Sequence, residues 1–144
     1  MRVLVYNLVN TLDRDYSLNQ QLKTVLIVVD DNVLLRLRSM ILQMHGFKVS
    51  GASSSDEAYE CCEREIFDLV LIDLSAGIEA STALCNAIKE KHPQQTVALL
   101  APAYAYVGSD CPDEVIPKNE GPAKLVNEIR ELLQRVSDKT ADPE

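Results

Sequence analysis

Four charged residues stand where apolar runs of the chain break off. Asp30 and Asp31 close KTVLIVV, Asp73 closes FDLVLI, and Lys118 follows VIP. Carboxylates gathered at one place repel each other and gain proton affinity unless a cation intervenes, so Asp30, Asp31 and Asp73 together predict a hard divalent metal. Mg²⁺ suits such a set, because it favours oxygen ligands in octahedral geometry and keeps positions open for water or phosphoryl oxygens. A carboxylate beside that metal can attack phosphorus as a nucleophile and form an acyl phosphate, with the Lys118 ammonium balancing the added charge. Taken singly, an Asp at a strand end has an equally good role as the cap of the next helix. The set of four is harder to explain that way.

These residues meet only if the elements carrying them are neighbours. Lys23 to Val29 is a nearly continuous apolar, β-branched run, the pattern of a parallel strand buried on both faces. Val33, Leu34, Leu37, Met40, Ile41 and Met44 then recur at helical spacing, and Gly46 supplies a left-handed stop. Phe47 to Ala52 reads as a second strand. Ser54 and Glu57 form a capping box that opens a helix through Glu65. Phe67 to Ile72 is a third strand; Ala80 to Lys91 is a helix with Leu84, Ala87 and Ile88 on one face, closed by Pro93. Thr96 to Leu100 and Asp113 to Pro117 supply two more strands. Gly121 and Pro122 suit the N-cap and first turn of a last helix that buries Leu125, Val126, Ile129, Leu132, Leu133 and Val136. Strands alternating with helices predict an α/β fold with a five-stranded parallel sheet covered on both faces, and ligands bind beyond the carboxyl ends of such strands.

The bulk numbers agree with one compact domain. The chain has 144 residues, 47% hydrophobic and 25% charged, values ordinary for a globular protein. Its formal charge of −8, from 14 Lys plus Arg against 22 Asp plus Glu, opposes contact with a nucleic-acid backbone. The opening MRVLVYNLVN is short for a membrane span and has no cleavage site after it, so a cytoplasmic protein without membrane insertion is expected. Cys61, Cys62, Cys85 and Cys111 show neither CxxC nor zinc-finger spacing, which predicts reduced, packed thiols. His45 and His92 sit near predicted helix C-termini, where an imidazole suits the dipole. The run Glu60 to Glu65 reads as a solvated helix face.

From Lys23 to about Leu133 the chain resembles a response regulator receiver domain of the two-component phosphorelay family, through VVDDN, FDLVLID and VIPK. The resemblance implies a doubly wound, flavodoxin-like sheet in the order 2-1-3-4-5. It implies Asp73 as phospho-acceptor, and Asp30 and Asp31 as the acidic metal pair with Asp73 and the backbone carbonyl of Ser75. It also implies Lys118 as the active-site lysine, Mg²⁺ as cofactor, and a histidine kinase or other phosphodonor as partner. Within that frame residues 1–22 are an N-terminal extension of unassigned structure, residues 23–136 the receiver and residues 137–144 a polar tail.

Several positions depart from the family pattern. Ala101 replaces the usual Ser or Thr after the fourth strand, and Val115 the usual aromatic on the fifth. LSAGIEA after Asp73 lacks a Met-Pro pair and brings Gly77 early. Pro102, Gly108 and Pro112 predict a shortened or irregular fourth helix, in which Tyr104 and Tyr106 are expected to pack over the sheet. Asn119 follows Lys118 where the family has Pro, which predicts a trans bond and a shifted ammonium, because a cis bond there costs roughly 2.5 to 4 kcal/mol. The expected function is a stand-alone receiver, not an enzyme, that signals to a downstream partner protein. The alternative is a pseudo-receiver that binds a partner without phosphorylation. An independent phosphatase or nucleotide-binding domain is disfavoured, since VVDDN stands where a Gly-rich phosphate loop would follow the first strand.

Overall fold

The computed structural model describes residues 22–103 and 111–141. They form β1 (Thr24–Val29), α1 (Asn32–Met44), β2 (Lys48–Ala52), α2 (Ser55–Arg64), β3 (Leu69–Asp73), α3 (Ile78–Lys91), β4 (Val97–Ala101), β5 (Glu114–Pro117) and α4 (Gly121–Ala141). The strands lie parallel in the order β2-β1-β3-β4-β5, as the resemblance implied. Side-chain alternation along β1 then divides the core in two. Val25, Ile27 and Val29 pack on one face with Leu42 of α1 and Val126 and Ile129 of α4. Leu26 and Val28 pack on the other with Ala58 of α2 and Leu84, Cys85 and Ile88 of α3. The central strands β3 and β4 are buried throughout, which is why they read as unbroken apolar runs.

Local polar contacts set the ends of the elements. Phe67 and Asp68, expected in the third strand, stand outside it because their polar groups are taken by side chains. The Gln95 amide accepts from Phe67 N at 3.0 Å and donates to Phe67 O at 2.8 Å, while the Asp68 carboxylate accepts from Thr24 N at 2.7 Å. Gln95 is 2% exposed and donates also to Thr96 O, so it ties the chain entering β3 to the chain entering β4. Gln95→Leu orphans Phe67 N and O, and is expected to lower the unfolding free energy by about 2–3 kcal/mol in urea titration.

The expected capping box at α2 is shifted by one residue. Ser54 Oγ accepts from Glu57 N, but the Glu57 carboxylate reaches back to Ser53 N and Oγ, and these donors hold its pKa below the ordinary value. Gly46 takes φ +93°, the left-handed stop expected after α1. His45 contributes Nδ1 to a 2.9 Å contact with Ile41 O at the end of the same helix, and His92 caps α3. The His45 ring thus serves a helix end, whereas His92 caps α3 through its backbone N–H and turns its ring toward Glu63 at 3.4 Å.

One expectation changes. Ser137 to Ala141, expected as part of a polar tail, continue α4, since each further residue adds a hydrogen bond to an existing helix at little cost. Expectations for residues 1–21, 104–110 and 142–144, including Tyr104, Tyr106 and most of the fourth-helix segment, fall outside the described residues. No cis peptide occurs among the described residues, so the Lys118–Asn119 bond is trans as expected.

Candidate functional site

Asp73 ends β3, directly beside Val29 at the end of β1, and Asp30 follows Val29. On the other flank Ala101 ends β4 beside Pro117 of β5, and Lys118 N donates to Ala101 O at 3.0 Å. The sheet order therefore delivers Asp30, Asp73 and Lys118 to the same carboxyl edge.

Asp73 is 6% exposed and carries a cation on each oxygen. Lys118 Nζ donates to Oδ1 at 3.1 Å, so its ammonium reaches the carboxylate despite the trans bond, and the expected displacement is not seen. Arg38 NH1 donates to Oδ2 at 2.5 Å. A carboxylate buried this far survives only if charge and hydrogen bonds compensate it, and here two cations do so. Their side chains are 12% exposed for Arg38 and 30% for Lys118, so the guanidinium is the more desolvated partner.

Sequence reasoning missed Arg38. The signal was its place on α1, one turn from both Leu34 and Ile41, which pack on the core. A charged residue on an inward stripe needs a buried counter-charge, and Asp73 supplies it.

The other two carboxylates have nearer partners than Asp73. Asp30 accepts from both Ser75 N and Ser75 Oγ at 2.9 Å, tying the loop after β3 to the end of β1. Asp31 caps α1, its Oδ1 accepting from Val33 N at 3.0 Å and Leu34 N at 3.1 Å. Among the described residues no three His, Cys, Asp or Glu side chains stand close enough to hold a metal ion together. The expectation of three gathered carboxylates is thus met only in part. The residues share an edge, but local donors and the two cations hold them apart.

A cleft of about 240 Å³ opens beside Asp73 and is lined by Ser75, Ser81, Ala101 and Lys118. Ser81 is buried and accepts from Leu74 N, and Gly77, at φ +110°, starts α3 between them. Ala101 contributes only a methyl group, so no hydroxyl faces the cleft from β4. Val115 on β5 is half-buried. Chemically the site offers a desolvated oxyanion held between two cations at the mouth of a small cleft. The donor types suit a hard divalent cation, but such a cation reaches Asp73 only by sharing or displacing Arg38 at Oδ2.

Comparison with known proteins shows the family and the fold. The family model for the response regulator receiver domain matches residues 25–108. The transcriptional regulatory protein ResD of Bacillus subtilis is 29% identical over 125 residues, covering 83% of this chain and 52% of that protein. SrrA of Staphylococcus aureus is 27% identical, with 51% of its length covered, so the chain spans about half the length of the curated relatives it matches. A CheY-like receiver domain from Methanospirillum hungatei superposes with a TM-score of 0.71 at 25% identity, covering 83% of this chain and 99% of that one. TrrA of Thermotoga maritima, solved in complex with Mg(2+)-BeF, gives a TM-score of 0.65 at 26% identity over 77% of this chain and 99% of that one. TrrA has also been solved in complex with the histidine kinase ThkA; that chain shares the fold at 24% identity, with a TM-score of 0.66 over 78% of this chain and 99% of that one.

Proposed function

The chain belongs to the response regulator receiver domain family, and from that premise we propose that it accepts a phosphoryl group on Asp73 from a histidine kinase, with Mg²⁺ as cofactor. The observation that carries the reading is the near-buried Asp73 carboxylate, held between Arg38 and Lys118 at the mouth of a cleft of about 240 Å³. Asp30, Asp31, Asp73 and the Ser75 backbone carbonyl are the groups that would hold the metal, and TrrA bound to Mg(2+)-BeF supports that part. Mg²⁺ would supply charge neutralisation on the carboxylate and the incoming phosphoryl oxygens.

The chain's own residues set the rest. Arg38 holds Oδ2, and Lys118, the more exposed of the two cations, holds Oδ1, so Oδ1 is the oxygen that bonds to phosphorus while the donor's bond to phosphorus breaks. Lys118, 3.1 Å from Oδ1, is placed to follow the transferred charge onto the phosphoryl oxygens. Ala101 provides no hydroxyl for those oxygens, so acceptance is better supported than the family's usual switching.

Docking to a downstream partner protein is part of the same proposal. A formal charge of −8 favours protein over nucleic acid as the target. No described helix is long and apolar enough to cross a membrane, which is compatible with the cytoplasmic setting proposed. The kinase would dock on α1, where Val33, Leu37, Met40 and Met44 form an exposed apolar stripe beginning next to the Asp31 cap, and the TrrA–ThkA complex supports a kinase partner. In Val33→Glu/Met44→Glu, transfer from a panel of autophosphorylated histidine kinases is expected to fall at least tenfold, with acetyl phosphate labelling unchanged. Equal loss from both donors would remove α1 as the docking face.

The central experiment is incubation with acetyl phosphate and Mg²⁺ followed by intact-mass measurement. One added phosphoryl group is expected. No adduct, with the protein folded by circular dichroism, overturns the proposal.

A further inference from the structure

Cys85 Sγ and Cys111 Sγ lie 2.8 Å apart, across 26 residues of sequence, on the side of the molecule formed by α3 and the segment that enters β5. Nothing in the acceptor chemistry uses them. We propose that Cys85 and Cys111 form a redox-active pair that an exposed peroxide oxidises to an intramolecular disulfide, tying α3 to the start of β5.

The geometry is already set in the reduced protein. A disulfide bond is about 2.05 Å long, so the sulfurs need to approach by less than an ångström. Two further contacts hold α3 and the segment in register. Lys89, one turn beyond Cys85 on α3, donates to Asp113 Oδ2 at 2.7 Å, and Asp113 lies two residues beyond Cys111. Asp113 is in turn pinned to β4, accepting from Val97 N and donating its own N to Val97 O, both at 2.8 Å. Closing the bond therefore orders little that is not ordered already, and the entropy of juxtaposing distant cysteines has been met by folding.

Exposure assigns the roles. Cys85 is fully buried, and burial together with its contact to Cys111 pushes its thiol pKa well up, so it is a poor first nucleophile. Cys111 is only partly buried and is the thiol that meets the oxidant. With hydrogen peroxide, the Cys111 sulfur attacks one oxygen, the O–O bond breaks, and Cys111 becomes a sulfenic acid as one water leaves. The Cys85 sulfur then attacks the Cys111 sulfur, the S–S bond forms, the S–O bond breaks, and the hydroxyl departs as a second water with the Cys85 proton. Two thiols are oxidised by two electrons and one peroxide is reduced.

Cys61 and Cys62 serve as internal controls. Adjacent on α2, they border the same apolar core as the pair, and burial pushes the Cys62 thiol up to about 11. The disulfide closes a covalent loop that contains β4 and the connection from Ala101 to Cys111. The proposal rests on the sulfur geometry and stands whether or not Asp73 accepts phosphate.

The test is to treat the full chain with low millimolar hydrogen peroxide, alkylate the remaining thiols and map disulfides by peptide mass spectrometry. A peptide joining Cys85 to Cys111, monomeric chains, reversal by dithiothreitol and a melting temperature raised by several degrees are expected. In Cys111→Ser the melting shift should vanish. Alkylation of both Cys85 and Cys111 after peroxide overturns the proposal. So does over-oxidation of Cys111 without a cross-link, or pairing of Cys111 with any other cysteine.

Discussion

Asp73→Asn is expected to abolish phosphoryl uptake altogether, with no added mass after exposure to acetyl phosphate and Mg²⁺ under conditions that label the parent protein. The amide keeps the shape and one of the two accepting oxygens but offers no anionic oxygen to attack phosphorus, and uncatalysed attack by a neutral amide oxygen is too slow to detect. The substitution also leaves Arg38 and Lys118 facing each other across a neutral side chain. Lys118, 30% exposed, can turn toward water, whereas Arg38 at 12% has less freedom. A loss of about 1–3 kcal/mol in unfolding free energy is therefore expected, read from urea titration. The two readouts separate the outcomes. A folded variant that still takes the label places the acceptor elsewhere and removes Asp73 from the reaction. If the parent protein also stays unlabelled, a module that binds partners without phosphorylation becomes the better account.

The second large effect is on metal affinity. Arg38→Met is expected to tighten Mg²⁺ binding at least tenfold in isothermal titration calorimetry. The guanidinium donates to Oδ2 at 2.5 Å and so occupies a carboxylate oxygen that a divalent cation would use, besides repelling it. Unit charges 4 Å apart interact by about 4 kcal/mol at an effective dielectric of 20, and tenfold in affinity requires only about 1.4 kcal/mol. Even a relaxed pair with partial screening is thus large enough. Methionine is chosen because it keeps an unbranched stem along the apolar groove lined by Leu34, Leu37, Ile41 and Leu125. Replacing a partly buried ion pair by an apolar side chain is often neutral for stability, so the variant should fold. Unchanged affinity would mean that Arg38 swings clear of the metal and serves only to neutralise Asp73 in its absence.

Much of this protein was legible in its residues before folding is considered. The strands announced themselves because a parallel strand covered on both faces must be apolar at every position, as β3 and β4 are. Gly46 and the Gly121-Pro122 pair marked helix ends through local backbone preferences that hold in any context. Asp30, Asp73 and Lys118 stood out for a related reason. Each breaks an apolar run at its carboxyl end, where an α/β sheet places its ligands, so position along the chain already implied position in space.

What stayed hidden depends on contacts between residues distant in sequence. Val33, Leu37, Met40 and Met44 share the helical spacing of Leu34 and Ile41, yet the first four are exposed and the other two pack on the core. Spacing defines stripes on a helix, but only the sheet beneath selects which stripe is covered. The third strand begins at Leu69 rather than Phe67 because Gln95, 28 residues away, takes the Phe67 backbone groups. Arg38 meets Asp73 across 35 residues, and Cys85 meets Cys111 across 26, with no motif linking either pair.

Local physics along the chain, namely burial pattern, turn preference and strand-end charge, determined the element order, the α/β class and the set of strand-end charges from which the resemblance to receivers singled out Asp73. The tertiary structure alone decided the partners: a second cation on Asp73, Asp30 held by Ser75, Asp31 used as a helix cap, and two thiols in contact. Such pairings depend on the relative placement of packed elements, a property of the whole sheet and its covering helices that no local window of residues contains.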